Sequence, residues 1–326
     1  MGFRSACFLV LVTGVLAACW RDLASLVSFS FARDQYSYIV LIPVVSLALV
    51  IRERAAVFAH VHWAVLPGMS VIVLGLAGTL LTSYFCPADS TMSLCAATAC
   101  VWALLVGLFA LCYGTRAVRA ALFPILFLLL IVPVPVRLLD GASVLLQKAS
   151  CQLTYLLMTL AGTPVLKNGF VLSTPLGGIE VAEQCSGIRS TLGLLIGGIV
   201  ATHLFLRSPW KKTLLVSCVI PVSIFKNALR IVSLYWLGNH TDQRFLTGEL
   251  HRRGGIPFSV LALLILGPLL WVLYKSDARA GKPGTKGELD LRGAPDQAPV
   301  AVPSVGPMPP PHGLRTGRRV RSWLSQ

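Results

Sequence analysis

The chain has 326 residues, of which 55% are hydrophobic and 13% charged, and its mean hydropathy is +0.75. Such values exclude an ordinary soluble globular domain and point to a polytopic membrane protein. The formal charge of +15 raises nucleic acid as a partner. Many of the basic residues, however, fall in loops between apolar runs and in a Pro-rich tail, as membrane topology alone arranges them, so no nucleic-acid partner is expected.

The first apolar run, Ala6 to Trp20, follows Met1-Gly2-Phe3-Arg4. It is signal-peptide-like, but no cleavage pattern follows it, so it reads as a retained helix. A second run, Tyr38 to Ile51, stops at Arg52-Glu53-Arg54 and carries Pro43 in its first turns, where proline is tolerated or kinks the helix. The third and fourth runs are Pro67 to Phe85 and Met92 to Tyr113, separated by the turn-forming Pro87-Ala88-Asp89-Ser90. The fifth, Ala120 to Val136, ends in Pro133-Val134-Pro135.

Residues Asp140 to Gly162 mix leucines with Gln147, Lys148, Gln152 and Thr154. That pattern predicts an amphipathic helix at the interface or packed on the bundle, not a span. Thr163 to Val181 carries Pro164, Gly169, Pro175, Gly177 and Gly178 between the β-prone pieces Phe170-Val171-Leu172 and Ile179-Glu180-Val181. A small hairpin-like extramembrane loop is expected there. Three further runs follow: Ile188 to Leu206, Leu214 to Leu237 and Ile256 to Tyr274. The predicted architecture is thus an all-α polytopic membrane domain over residues 1–275, with about eight transmembrane helices and a small outer-face loop. Residues 276–326, rich in Pro, Gly and basic side chains, are expected to be a disordered cytoplasmic tail.

Loop charge sets the orientation. Loops after the second, fourth and sixth runs hold Arg52, Arg54, Arg116, Arg119, Arg207, Lys211 and Lys212. The opposite loops hold Arg21, Arg33, Arg137, Lys148, Lys167, Arg244, Arg252 and Arg253, nearly a tie. The first set sits in shorter loops, and Lys275, Arg279, Lys282 and Lys286 follow the last span. Both termini are therefore placed in the cytoplasm. Thr163–Glu183 and Gly238–Gly255 then fall on the outer side, with Cys185 and His251 on that same face.

Of nine cysteines, most lie inside apolar runs, where a thiol packs as a small hydrophobe. No C-x-x-C pair occurs and no Cys/His spacing suits zinc, so neither a metal nor another cofactor is expected. Cys185 differs from the rest. It lies in Ala182-Glu183-Gln184-Cys185-Ser186-Gly187-Ile188-Arg189, at the head of an apolar run. A helix start favours the thiolate, and Arg189 four residues on adds positive potential; the bland alternative is a packing cysteine. Arg230 sits inside the seventh run with Asn227 at i−3 and Lys226 beside it. Placed about two turns below the outer end of a span, a guanidinium costs at least about 2.5 kcal/mol to insert and needs a partner or a wet cavity, unless it snorkels to the headgroups. Lys226 raises that cost, with Glu183 or Glu180 as its conceivable partners. His251 and His240 are equally placed beside the last span, and physical reasoning alone does not choose between them.

The block Cys185-Ser186-Gly187-Ile188-Arg189, with Asn227-x-x-Arg230-Ile231 and Gly248-x-x-His251, resembles the exosortase branch of the exosortase/archaeosortase family. The resemblance also takes in Tyr36-Ser37, Ile42-Pro43, Pro133-x-Pro135 and Gly162-x-Pro164, and spans roughly residues 36–275. It implies a cysteine transpeptidase or protease of the bacterial inner membrane with its site on the periplasmic face. The implied substrates are secreted proteins ending in a Pro-Glu-Pro motif, a helix and a basic cluster, which would be transferred to a cell-surface acceptor. The implied catalytic residues are Cys185, Arg230 and His251, which favours His251 over His240, and Glu183, Ser186, Gly187, Arg189 and Asn227 stand in support. The competing expectation is a non-catalytic transporter or lipid-binding bundle holding an anionic ligand on Arg230. That reading needs a polar cluster at mid-membrane with broken helices, whereas the ionisable residues here gather near one face.

Overall fold

The structure, a computed structural model, describes residues 2–87, 90–175, 177–181, 187–240 and 255–280. Among the described residues, six helices are long and apolar enough to cross a membrane, or up to eight if each of two bent pairs counts as one span. The first bent pair is α1 (Gly2–Ala18) and α2 (Trp20–Ala32), which meet at 70°. The expected first run, Ala6 to Trp20, corresponds to α1, and α2 is a further helix not expected from the sequence. A 3-10 turn, Asp34–Val40, leads into α3 (Leu41–Arg52). Pro43 is the third residue of α3, where the missing N–H has no intrahelical partner to lose.

After the short α4 (Arg54–Val57) come α5 (Val65–Phe85) and α6 (Thr91–Tyr113). They pack closely because Gly68 and Gly107 present no side chain: a Cβ at Gly68 would lie 2.7 Å from Leu111, and one at Gly107 would lie 2.8 Å from Ile72. Small residues at such crossings are how helices associate where lipid removes the hydrophobic drive. The fifth run is broken into α7 (Thr115–Ala120), α8 (Leu122–Leu128) and a 3-10 turn, Leu129–Ile131. Its prolines free backbone carbonyls that are then used. The Tyr36 hydroxyl donates to the Val134 carbonyl at 2.8 Å, and the Cys95 thiol lies 3.0 Å from that of Pro133. Tyr36 and the Pro133-x-Pro135 segment, far apart in sequence, thus form one joint.

From that joint α9 (Val136–Leu160) departs at 91° to the preceding segment. Leu139 near its start packs with Leu26 and Tyr36, while Cys151 and Met158 pack with Ile231 and Tyr235. The helix therefore runs from the start of α3 to the far part of α11. It buries Ser143, Gln147, Ser150 and Thr154 and turns Leu138, Leu145, Leu156 and Leu160 outward. Leu139, Leu146, Cys151 and Met158 are buried beside them, and Arg137, Asp140, Lys148 and Gln152 are exposed beside the leucines, so both faces of the helix are mixed.

The expected hairpin is a three-stranded antiparallel sheet, β1 (Leu166–Asn168), β2 (Val171–Thr174) and β3 (Gly177–Glu180), in order β1-β2-β3. Leu172 pairs with Ile179, and Leu172 and Val181 are buried against α9 and α11. The remaining helices are α10 (Ile188–Phe205), α11 (Pro209–His240) and α12 (Gly255–Ala280). The chain beyond Ala280, which holds most of the expected tail, lies outside the described residues.

Contacts between elements agree on a common sense of direction. At one end, called here the site end, Arg189 at the head of α10 lies 3.1 Å from Asp34 at the start of the segment leading into α3. At the opposite end, Glu53 meets His203 at 2.6 Å, and His203 stacks on Phe123. The same end holds a buried cluster. The Asp277 carboxylate accepts from the Arg207 and Ser208 backbone N–H groups, the Ser208 hydroxyl and the Lys211 ammonium, at 2.7 to 3.2 Å. Lys211 and Asp277 are only 5% and 7% exposed, so the end of α12 is clasped to the α10–α11 turn.

Candidate active site

The candidate site is built where the head of α10 meets α11. Gly187, which caps α10, has φ +74 and ψ 11, a left-handed conformation that glycine takes without steric cost. Its carbonyl accepts from the Thr191 N–H and from the Ser190 and Thr191 hydroxyls, each at 2.9 Å. A Cβ at Gly187 would lie 3.3 Å from the Asn227 side chain. The head of α10 is therefore pressed against Asn227, three residues before Arg230. Only Ser186 separates Gly187 from Cys185 in the sequence.

On the other side of residues 182–186 in the sequence stands Val181. This residue is buried, its N–H donates to the Phe170 carbonyl at 2.9 Å, and its own carbonyl accepts from the Gln147 amide. A buried carbonyl left without that donor costs about 1–3 kcal/mol, so Gln147 has a structural task in α9. Thr174 on β2 meets the Tyr235 hydroxyl at 3.0 Å, which ties the sheet to the far turn of α11. Sequence reading noted Gln147 only as a polar interruption among leucines and missed Tyr235 altogether.

On α11, Ser223, Lys226, Asn227 and Arg230 follow the i, i+3, i+4, i+7 spacing of a single helix face. The first three are buried and Arg230 is half-buried. Their depth follows from the two helix lengths. Helix α10 has 18 residues and α11 has 32, or about 27 and 48 Å at about 1.5 Å per residue. Because Gly187 touches Asn227, the surplus of α11 extends beyond the head of α10, where Ile231 and Tyr235 carry the sheet. Arg230 then stands about one turn beyond the head of α10. Relative to its neighbour it is near the edge of the bundle.

Of the residues singled out from the sequence, Gly187, Arg189, Asn227 and Arg230 are described, and the structure brings Gly187 onto Asn227 on the helix that carries Arg230. Arg189 pairs with Asp34. Glu183, Cys185, Ser186, His251 and the Gly248-x-x-His251 segment lie outside the described residues, as does the side chain of His240. Glu180 is exposed on β3. Among the described residues no group of His, Cys, Asp and Glu gathers as metal ligands would.

Fold and site together define a multi-pass helical membrane protein with a small sheet and a buried polar helix face at one end of the bundle. The family model of transmembrane exosortases matches residues 20–267, and the chain belongs to that family. No curated protein and no solved structure matches.

Proposed function

We propose that the chain is a membrane cysteine transpeptidase or protease acting on secreted proteins that end in a Pro-Glu-Pro motif, a transmembrane helix and a basic cluster. The observation that carries this reading is the contact between Gly187 and Asn227. It joins the two family motifs, Cys185-Ser186-Gly187-Ile188-Arg189 and Asn227-x-x-Arg230, at the head of α10.

In this reading the sorting tail enters from the membrane with its scissile peptide at the outer face of a bacterial inner membrane. The Cys185 thiolate attacks the carbonyl carbon, and the Arg230 guanidinium stabilises the oxyanion that develops. The C–N bond then breaks as His251 gives its proton to the departing amine, leaving a thioester on Cys185. An acceptor amine or hydroxyl, or water, attacks that thioester; its proton passes to His251 and the thiolate leaves. The polar face of α11 lies level with the head of α10, which favours this reading over transport through a mid-membrane site.

The test is processing of a reporter protein bearing the sorting tail. Wild-type chain should release the tail, Cys185→Ala should accumulate in the membrane without doing so, and His251→Gln should release it more slowly. Release at the wild-type rate by Cys185→Ala refutes the proposal.

A further inference from the structure

Lys226 is a buried cation that the scheme above leaves without a task. It is 3% exposed, as is its neighbour Asn227, and it sits one helical turn from Arg230 on the same face. A buried ammonium is held in place only where an anion or several acceptors meet it. Of the two partners the sequence offers it, Glu183 lies outside the described residues and Glu180 is exposed, and the other described carboxylates are engaged or turned away. Asp34 pairs with Arg189, Glu53 with His203 and Asp277 with Lys211, while Asp22, Asp140 and Glu180 are exposed. Among the described residues Lys226 has no hydrogen-bond or ion-pair partner. Beside it on the helix face, the buried Ser223 hydroxyl also has none among them.

The position of this cation narrows what it meets. Asn227, the next residue, touches Gly187, so Lys226 lies level with the head of α10 and about one turn inward of Arg230. Two fixed cations one turn apart on a largely buried face repel each other and attract a single anion strongly. If the substrate is a peptide, the anion it brings is an Asp or Glu carboxylate.

We infer that Lys226 is a specificity-determining residue which binds a carboxylate side chain of the peptide substrate one helical turn inward of Arg230. This rests on the peptide-processing reading for the identity of the ligand, but binding tests it separately from turnover. The ammonium donates to the carboxylate, and the amide analogue leaves both groups unsatisfied. A charge-assisted hydrogen bond of about 1.5–3 kcal/mol corresponds to roughly 10- to 100-fold in affinity.

The experiment uses full-length Cys185→Ala chain reconstituted in lipid, which binds without consuming its ligand. Two fluorescent peptides carrying the sorting tail are compared, one with Glu in the Pro-Glu-Pro motif and one with Gln. With Lys226 present, the Glu peptide should bind at least 10-fold more tightly. Lys226→Met should bring the Glu peptide down to the Gln peptide's affinity and leave the Gln peptide within about threefold, and Lys226→Arg should keep the preference. Equal binding of both peptides with Lys226 in place overturns the inference without reference to any variant's folding. It is also overturned if the preference survives in Lys226→Met, or if that variant weakens both peptides equally, as when an acid of the chain itself holds the lysine. Loss of turnover in the Cys185 chain with the preference intact would instead strike the catalytic scheme alone.

Discussion

Replacing Gly187 by alanine tests the geometry that joins the two motifs. With φ +74, an L-residue at this position pays about 1–2 kcal/mol for the left-handed backbone. The new Cβ would also stand 3.3 Å from the Asn227 side chain, tighter than ordinary van der Waals contact, so Asn227 has to yield by a few tenths of an ångström. The two costs separate by choice of residue. Asparagine visits the left-handed region more readily than alanine but carries the same Cβ, so Gly187→Asn should recover part of the stability and little of the activity. Gly187→Ala combined with Asn227→Ala should relieve the crowding and leave the backbone cost. Thermal unfolding in mixed micelles measures stability, and reporter processing measures the rate. Gly187→Ala should lower stability by at least about 1 kcal/mol and, by displacing the adjoining Cys185 segment, lower the rate by about 10- to 100-fold. Wild-type stability and rate in Gly187→Ala, or a Gly187→Asn variant no more stable than Gly187→Ala, would show that the left-handed backbone at Gly187 does not set these costs.

Four other outcomes follow from the same structure. Arg230→Lys keeps a charge but loses the planar fork, so processing should fall on the order of 100-fold at every pH tested, whereas His251→Gln should flatten the pH–rate profile near neutrality. Cys151→Ala, at a residue buried against the sheet and α11, should lose stability but keep its rate per folded molecule, while Cys185→Ala does the reverse. Truncation after Ala280 should leave processing intact, because Asp277 keeps its bonds to Ser208 and Lys211; Asp277→Asn should lower the melting temperature without changing the rate of the folded fraction. Cysteines introduced at Lys167 and Ser208 should label from opposite sides of the membrane, since β1 lies at the site end and the α10–α11 turn at the other.

Much of this architecture was legible in the sequence because a bilayer permits few solutions. Long apolar runs have to be helices, and the leucine pattern around Gln147 and Thr154 marked α9 as a helix of another kind. The bend between α1 and α2 was not legible. Cys19 at the break is neither proline nor glycine, and the turn is held by packing of Leu26 and Phe29 against Tyr36, a contact between segments. Strand β1 is three exposed residues and carries no alternation to read. The level of Arg230 relative to α10 was not legible either: the head of α10 packs against Asn227, and no single-helix pattern contains that contact. Asn227 and Arg230 stood out because polar groups are costly in such a run, and Gly187 because the family motif contains it. Gln147 and Tyr235 act through partners distant in sequence and left no local signal.

The proposed chemistry turns on a covalent thioester between Cys185 and the sorted protein. Reporter and reconstituted chain would be mixed with no added acceptor, quenched in acid and digested, and the Cys185 peptide analysed by mass spectrometry. The expected adduct has the mass of the new C-terminal fragment of the reporter less one water, is released by hydroxylamine and is absent from Cys185→Ala. Processing that proceeds at the same rate in Cys185→Ala, with no adduct in the wild-type chain, would contradict it.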